Sequence, residues 1–460
     1  MLHVLIYCLL LLPHGCDRSL GDTTRVELRV DGSKEFQTMD GIGVNVNTRS
    51  WSGSELEDAI ALLHDDMNAV IWRVLVETVE GWEEENDDND PFHFNWAYYD
   101  KLYETPKFRK VWDMIAYLNR RGITDKLMLN FMGVIPEWMG GEVVKAELED
   151  EYIEMLASFF YYGVKKKGVE IGLVSHMNEP DLRLEGPTVG ATQYASIFSK
   201  LIHRMQQLGL GHIRYVGPDV ARMDKGIFEY VPEMMRDRTI MQNLEAIGLH
   251  SYSGYYAPVD SAIAASAYTD FKFWITEWNE WCNGCDEGER IDFDYDYASK
   301  SARHLIDFLA NGASACMVWE GYDSYYEHHA PSPFSYWGVL EFNKQSRTYH
   351  PRKQFYTIAQ ISKFLTPGSV RIESATSTKH VLLIATRDSQ DRINILGVNV
   401  TDAAIELAVG LENLPKVEGF RMWHTGESAN LARHPDKKST DGRNACVLIP
   451  AKSVFALTSF

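Results

Sequence analysis

The chain has 460 residues, of which 45% are hydrophobic and 24% charged, with 33 glycines and 16 prolines. Those proportions exclude a disordered segment, a collagen-like repeat and a small disulfide scaffold, and the length calls for one large barrel or two packed domains. With 45 Lys and Arg against 65 Asp and Glu the formal net charge is -20, which repels phosphate backbones and anionic membrane surfaces, so nucleic acid is not an expected partner.

Residues 1–20 read as a signal peptide. The apolar run from Val4 to Leu12 is too short to cross a bilayer, and Pro13, Gly15 and Cys16 follow it, a pattern that predicts export to the cell surface, periplasm or medium. Leu12-Pro13-His14-Gly15-Cys16 also resembles a bacterial lipobox, with unusual residues before Gly15. No later stretch reaches the roughly 20 apolar residues of a spanning helix, so the exported chain is expected to be soluble or held only at its N-terminus. Cys282-Asn283-Gly284-Cys285 lacks the second ligand pair of a metal site and reads as a local loop staple or two free thiols. Asn399-Val400-Thr401 is a glycosylation sequon.

Residues 21–40 hold an early strand, Arg25 to Val30. From 41 to 365, β-rich runs beginning at Gly41, Ala69, Lys126, Glu170, Ile213, Glu245, Lys272 and Ser314 alternate with helical stretches near 54–64, 106–121, 147–167, 190–208, 224–237, 259–268, 294–311 and 350–365. The helix near 190–208 shows the clearest stripe, with Tyr194, Ile197, Phe198, Leu201, Ile202 and Met205 on one face. Ser54 with Glu57 predicts a capping box for the first helix. Eight such strand–helix units predict a (β/α)8 barrel. Residues 366–460 carry short strand candidates at His380–Ala385, Arg392–Val400, Ile405–Val409 and Val454–Leu457, which predict an attached antiparallel β-sandwich that the early strand joins because a closed barrel has no edge to offer it.

Catalytic groups of such barrels project from the C-terminal ends of strands. The fourth strand ends in Asn178-Glu179-Pro180 and the seventh in Glu277-Trp278-Asn279, so each delivers one carboxylate to the same rim. Paired carboxylates are what glycoside cleavage requires: one protonates the departing oxygen while the other meets the cationic sugar carbon. In this reading Glu277 attacks to form a covalent glycosyl intermediate, Glu179 donates the proton, and Asn178 holds the substrate 2-hydroxyl.

These motifs resemble the acid/base and nucleophile segments of glycoside hydrolase clan A, and of its family 30 in particular. Phe36-Gln37-Thr38-Met39-Asp40-Gly41-Ile42-Gly43 is similar to that family's entry into the first barrel strand, and Leu365-Thr366-Pro367-Gly368-Ser369-Val370-Arg371-Ile372 to its return into the side sandwich. The resemblance implies a retaining β-glycosidase or β-glycanase acting on a β-linked oligo- or polysaccharide or glycoconjugate. It implies that Arg73 points at Glu277 to favour its ionised form, rather than pairing in the barrel floor. His250 and Tyr252 are implied to flank the nucleophile, with a core histidine as the alternative for His250. Trp319 is implied to floor the sugar subsite, and Trp138 to line the cleft or pack beside it. Trp278, Trp281, Tyr322, Tyr325, Tyr326 and Trp337 offer outer subsites or packing. The insertion from Glu80 to Tyr103, with its acid run Glu83–Asp90, fits no pattern of the family. Glu327-His328-His329 lacks metal-ligand spacing and no nucleotide fingerprint occurs, so no cofactor is expected. A binding barrel without chemistry and a transglycosylase using the same intermediate are the alternatives.

Overall fold

A computed structural model of the chain describes residues 23–77, 82–253, 259–326 and 332–460. The candidate signal segment and Glu327-His328-His329 lie outside the described residues. The first strand, β1 (Thr24–Thr38), precedes eight parallel strands that close on themselves: β2 (Gly41–Asn47), β3 (Ile71–Glu77), β4 (Leu127–Met132), β5 (Leu173–Ser175), β6 (Arg214–Arg222), β7 (Leu244–Ser253), β8 (Phe273–Trp278) and β9 (Ala315–Val318). Two hairpins follow on the chain, β10 (Ser324–Tyr325) with β11 (Phe334–Ser335) and β12 (Leu340–Asn343) with β13 (Thr348–Pro351). No helix of the described residues is long and apolar enough to cross a membrane.

The barrel interior is built in layers because inward side chains recur every second residue along a strand. Its floor is apolar: Ile71, Met128, Leu173, Val216, Trp274 and Met317 form one buried cluster. Two residues further along the same strands stand Arg73, Asn130, Ser175 and Thr276, all fully buried, so the next layer is polar. That switch from a packed floor to a hydrogen-bonded layer sets the base of the site.

The remaining strands form one sheet with β1: β14 (Val370–Thr376), β15 (Val381–Arg387), β16 (Ile393–Asn399), β17 (Ile405–Glu412), β18 (Gly419–Gly426), β19 (Ala429–Arg433), β20 (Lys437–Lys438), β21 (Asn444–Ile449) and β22 (Ser453–Ser459). Along β1, Val26, Leu28 and Val30 turn into a second apolar core with Ile395, Leu407, Val447 and Phe455, while Arg29 faces out to Glu373 and Glu412. The sheet is mixed rather than purely antiparallel, since β1 runs antiparallel to β14 but parallel to β17. A strand that arrives from the far end of the sequence is not bound to its neighbours by a tight turn, so its direction is free to match either. Helices Tyr295–Ala310 and Lys353–Ser362 pack between the barrel and the sheet.

Two local expectations change and one alternative is decided. The first helix is Ser54–Ala61, with Gly53 at φ 74° as its cap and no side-chain cap bond, so Ser54 already lies inside the helix and the capping box does not form. Cys282 and Cys285 are bridged, which settles the loop-staple alternative. The Asn399 amide is buried and donates to the carbonyls of Ala403 and Pro450 at 3.1 and 2.8 Å, so this sequon is not presented to solvent.

Because β1 supplies one wall of the second core, Leu28→Ala should cost about 2–5 kcal/mol in denaturant unfolding. Leu448→Ala, on β21 but 40% exposed, should stay within roughly 0.5 kcal/mol of the parent chain. Equal losses in the two variants would contradict the assignment of the inward face.

Candidate active site

The polar layer converges on one guanidinium. Arg73 is fully buried and donates from Nη1 to Glu277 Oε1 at 2.5 Å and Asn45 Oδ1 at 2.9 Å, from Nη2 to Asn178 Oδ1 at 2.7 Å, and from Nε to Asp219 Oδ2 at 3.2 Å. Asp219 is in turn held by the hydroxyls of Ser175 and Thr276, each at 2.6 Å. Burial is the largest influence on Asp219 and opposes its ionisation, but Arg73 together with the hydroxyls of Ser175 and Thr276 outweighs it and leaves the carboxyl below its ordinary range.

Two irregularities in the strands aim these groups. Opposite β7, β6 gains one residue at Asp219, whose φ is 52°, between the pairs Pro218–Gly248 and Val220–Leu249. A Cβ at Gly248 would stand 2.2 Å from Asp219 Oδ1, so that position requires glycine. On β8 the extra residue is Thr276, between the pairs Leu249–Ile275 and His250–Glu277. Such bulges bend a strand and redirect the next side chain; here Glu277 turns into the barrel mouth opposite His250. Glu179 reaches the same place from beyond β5. Its amide donates to the Asp219 carbonyl at 2.9 Å and its φ is 37°, a left-handed backbone that is uncommon for a residue with a Cβ and often found at functional sites.

Glu179 and Glu277 are 5% and 4% exposed, at the base of one cleft. The cleft encloses about 420 Å³ and is walled by Met132, Leu182, Arg222, Tyr252, Trp281, Trp319 and Trp337. His250 Nδ1 lies 2.7 Å from Glu179 Oε1 and 3.5 Å from Glu277 Oε2, and oxygens of the two carboxyls come within 4.8 Å of each other. Burial lowers the His250 pKa, so the imidazole is neutral. Burial pushes both carboxyls up. Glu277 rises to about 7, with Arg73 opposing the rise and Glu179 adding to it. Glu179 rises further, because burial acts with the charges of Glu185 and Asp181 and Arg73 is a weaker counterweight. The proton that two such close carboxyls share therefore resides on Glu179, and Glu277 ionises first.

Of the residues singled out in the sequence, Arg73, Asn178, Glu179, His250, Tyr252, Glu277 and Trp319 meet here. Asn178 is oriented by its bond from Arg73 and donates to the Glu185 carbonyl at 3.3 Å. The Tyr252 hydroxyl lines the cleft but has no hydrogen-bond partner among the described residues, so it does not donate to Glu277. Trp138 is outside the cleft: its indole donates to the Glu83 carbonyl at 2.7 Å and its ring packs on the barrel's outer core, because the chain after β4 folds back over the preceding insertion. Trp281 and Trp337 line the cleft, Trp337 donating to Asp286 at 2.6 Å, whereas Trp278 and Tyr322 are core residues and Tyr325 lies at another surface cavity. Tyr326 stacks under Trp319 with ring centres 5.6 Å apart. Asn45 and Asp219 were not anticipated, although a lone amide in Val44-Asn45-Val46 and a lone carboxylate in Pro218-Asp219-Val220 mark polar side chains inside buried strands.

Solved structures show the same architecture. A glycoside hydrolase family 30 subfamily 8 xylanase, Xyn30A, from Clostridium acetobutylicum superimposes with TM-score 0.71 at 17% identity, over 94% of this chain and 99% of that one. The catalytic domain of the family 30 xylanase C from Talaromyces cellulolyticus gives TM-score 0.72 at 16% identity, over 94% and 100%. The fold is that of glycoside hydrolase family 30. In sequence, a glucuronoxylanase XynC of Bacillus subtilis is 22% identical over 452 residues, 93% of this chain and 90% of the relative. A second protein of that name is 22% identical over 305 residues, 66% of this chain and 64% of the relative, so there the match spans just under two thirds of the relative's length. No family model matches the chain.

If Asp219 exists to pair the buried Arg73, Asp219→Ala should cost about 3–5 kcal/mol, because it strands a charge without solvent. Urea unfolding measures this, and a loss below about 1 kcal/mol would show that the guanidinium does not need it.

Proposed function

We propose that this family 30 fold is an exported retaining glycoside hydrolase that cleaves β-linked glycans by double displacement. The observation that carries this reading is the pair of buried carboxyls facing each other across His250, with oxygens closer than 4.8 Å. Oxygens that close fit the carboxyl separation of a retaining enzyme, about 5–5.5 Å, better than the roughly 6.5–9.5 Å that makes room for an inverting enzyme's water, and they suit direct attack on the anomeric carbon. The xylanase names of the relatives make β-linked xylan the first polymer to test. The Cys282–Cys285 bridge and the apolar run at the N-terminus support export, since disulfides persist in oxidising compartments.

In the first half-reaction Glu277, paired to Arg73, forms a bond to the anomeric carbon as the glycosidic C–O bond breaks, and the Glu179 proton passes to the departing oxygen. In the second, Glu179 takes a proton from water, whose oxygen displaces Glu277, and the chain returns to its starting state. His250 contacts Glu179 throughout and keeps its carboxyl on the leaving-group side of the sugar. Trp319, held flat by Tyr326, offers its face to the ring being cleaved.

Glu277→Gln should lower turnover of xylan by several orders of magnitude while oligosaccharide affinity is kept. A binding barrel without chemistry would instead show no turnover in either form. Glu179→Ala should cost about 10²–10⁴-fold on xylan and far less on an aryl glycoside with a good leaving group, because only the former needs the proton. Equal losses on both substrates would remove Glu179 from the acid role.

The pH profile has a defined sign. kcat/KM should fall as pH drops through the raised Glu277 pKa, near 7, and fall again at higher pH as Glu179 loses its proton. The alkaline limb should vanish in Glu179→Gln assayed with the activated glycoside. Its persistence would assign that limb to another group.

A further inference from the structure

The insertion after β3 carries an acid run that the cleft does not use. Glu83 and Asp87 from this run meet Glu154 from helix Glu149–Tyr161, with one oxygen of each within 4.8 Å of the others. This is not a solvated acidic face: Glu83 is 0% and Glu154 1% exposed, and Asp87 is half-buried. Glu83 Oε1 accepts from the Tyr99 hydroxyl at 2.8 Å. Among the described residues, Glu83 Oε2, Asp87 Oδ1 and both oxygens of Glu154 have no hydrogen-bond partner. Glu154 is thus a carboxyl enclosed by protein, with all its acceptor capacity unused and turned toward two others.

The groups around it do not neutralise it. Glu151 and Asp88 add further negative charge. Arg204, a basic side chain whose charge acts on Glu154 without a hydrogen bond to it, donates from Nη2 to the Phe92 carbonyl at 2.8 Å and lies 4.9 Å over the Phe94 ring. Protonation relieves the charge, and burial does raise Glu83 and Glu154. It nevertheless supplies no donor to either Glu154 oxygen, and a buried carboxyl that accepts nothing from the described residues is an arrangement that folded proteins avoid.

We propose that Glu83, Asp87 and Glu154 bind a hard divalent cation, Ca²⁺ foremost, which ties the insertion after β3 to helix Glu149–Tyr161. The donor set is carboxylate oxygen alone, without Cys or His, which suits Ca²⁺ or Mg²⁺ and not the softer metals. Ca²⁺ holds its oxygens at about 2.3–2.6 Å, so ligands on opposite sides of the ion stand close to the spacing of this cluster. Its coordination of 6–8 oxygens leaves positions for water. Trp138 donates to the Glu83 carbonyl, so the ion would also stiffen the chain that leaves β4 at the catalytic rim. This assignment does not rest on the proposed activity.

The test uses the full chain, stripped with EDTA and then dialysed against CaCl₂. A single Ca²⁺ per chain by atomic emission, together with a higher Tm with the ion than without it, is the expected result. Asp87→Asn, at a half-buried loop position, and Glu154→Gln should each lose the ion and the Tm rise. If Glu154→Gln fails to fold, Asp87→Asn and the ion count decide alone. No retained Ca²⁺ at millimolar concentration, or unchanged stoichiometry in Asp87→Asn, would overturn the proposal and leave three protonated carboxyls as the account of the cluster.

Discussion

A guanidinium sealed inside a barrel must be fully paired, and the rest of the site is arranged around that constraint. Arg73 sits one layer above an apolar floor and receives two carboxylates and two amide oxygens. Each acceptor comes from a different strand or strand end: Asn45 on β2, Asn178 beyond β5, Asp219 on β6 and Glu277 on β8. One side chain therefore fixes four separate segments in register. It also separates the two cleft carboxyls, because the one that touches it, Glu277, is the easier to ionise.

Glu179 and Glu277 have nearly equal burial, yet their neighbours divide the roles. Glu277 has the fixed cation; Glu179 has Glu185, Asp181 and a neutral imidazole. A difference in surroundings, rather than in residue type, leaves one carboxyl protonated and the other easier to ionise in a single cleft, which is the division that the proposed acid and nucleophile roles require. The bulges at Asp219 and Thr276 are part of this arrangement, since under strict alternation Glu277, next to inward-facing Thr276, would point out of the barrel instead of into its mouth. The aromatic wall is stabilised separately, by the Cys282–Cys285 bridge packed among Trp319, Tyr326 and Trp337.

Much of this was legible from the residues. Eight strand starts, the helix stripes and the entry of β1 into the C-terminal sheet follow from apolar periodicity and from the closure of a barrel. Glu179 and Glu277 stand out because charged side chains at the ends of apolar strands have few structural reasons to be there. The parallel pairing of β1 with β17 was not legible, since strand direction without a short turn leaves no local signal. Trp138 misled because tryptophan suits both a sugar face and a protein core, and only the fold-back over Glu83 distinguishes them. Asp219 escaped because its inward aim depends on a bulge that alternation in the sequence does not reveal. The buried carboxyls around Glu154 escaped for a similar reason: an acid on an amphipathic helix reads as solvent-facing until a distant loop covers it.

The proposed double displacement requires a covalent bond between the sugar and Glu277, and mass spectrometry of the chain inactivated by a 2-fluoro glycoside with a good leaving group looks for that bond. One added glycosyl unit, located by peptide mapping on Glu277, and no label in Glu277→Gln are the expected results. A label on another residue, or hydrolysis that proceeds with inversion at the anomeric carbon and no trapped species, would contradict it.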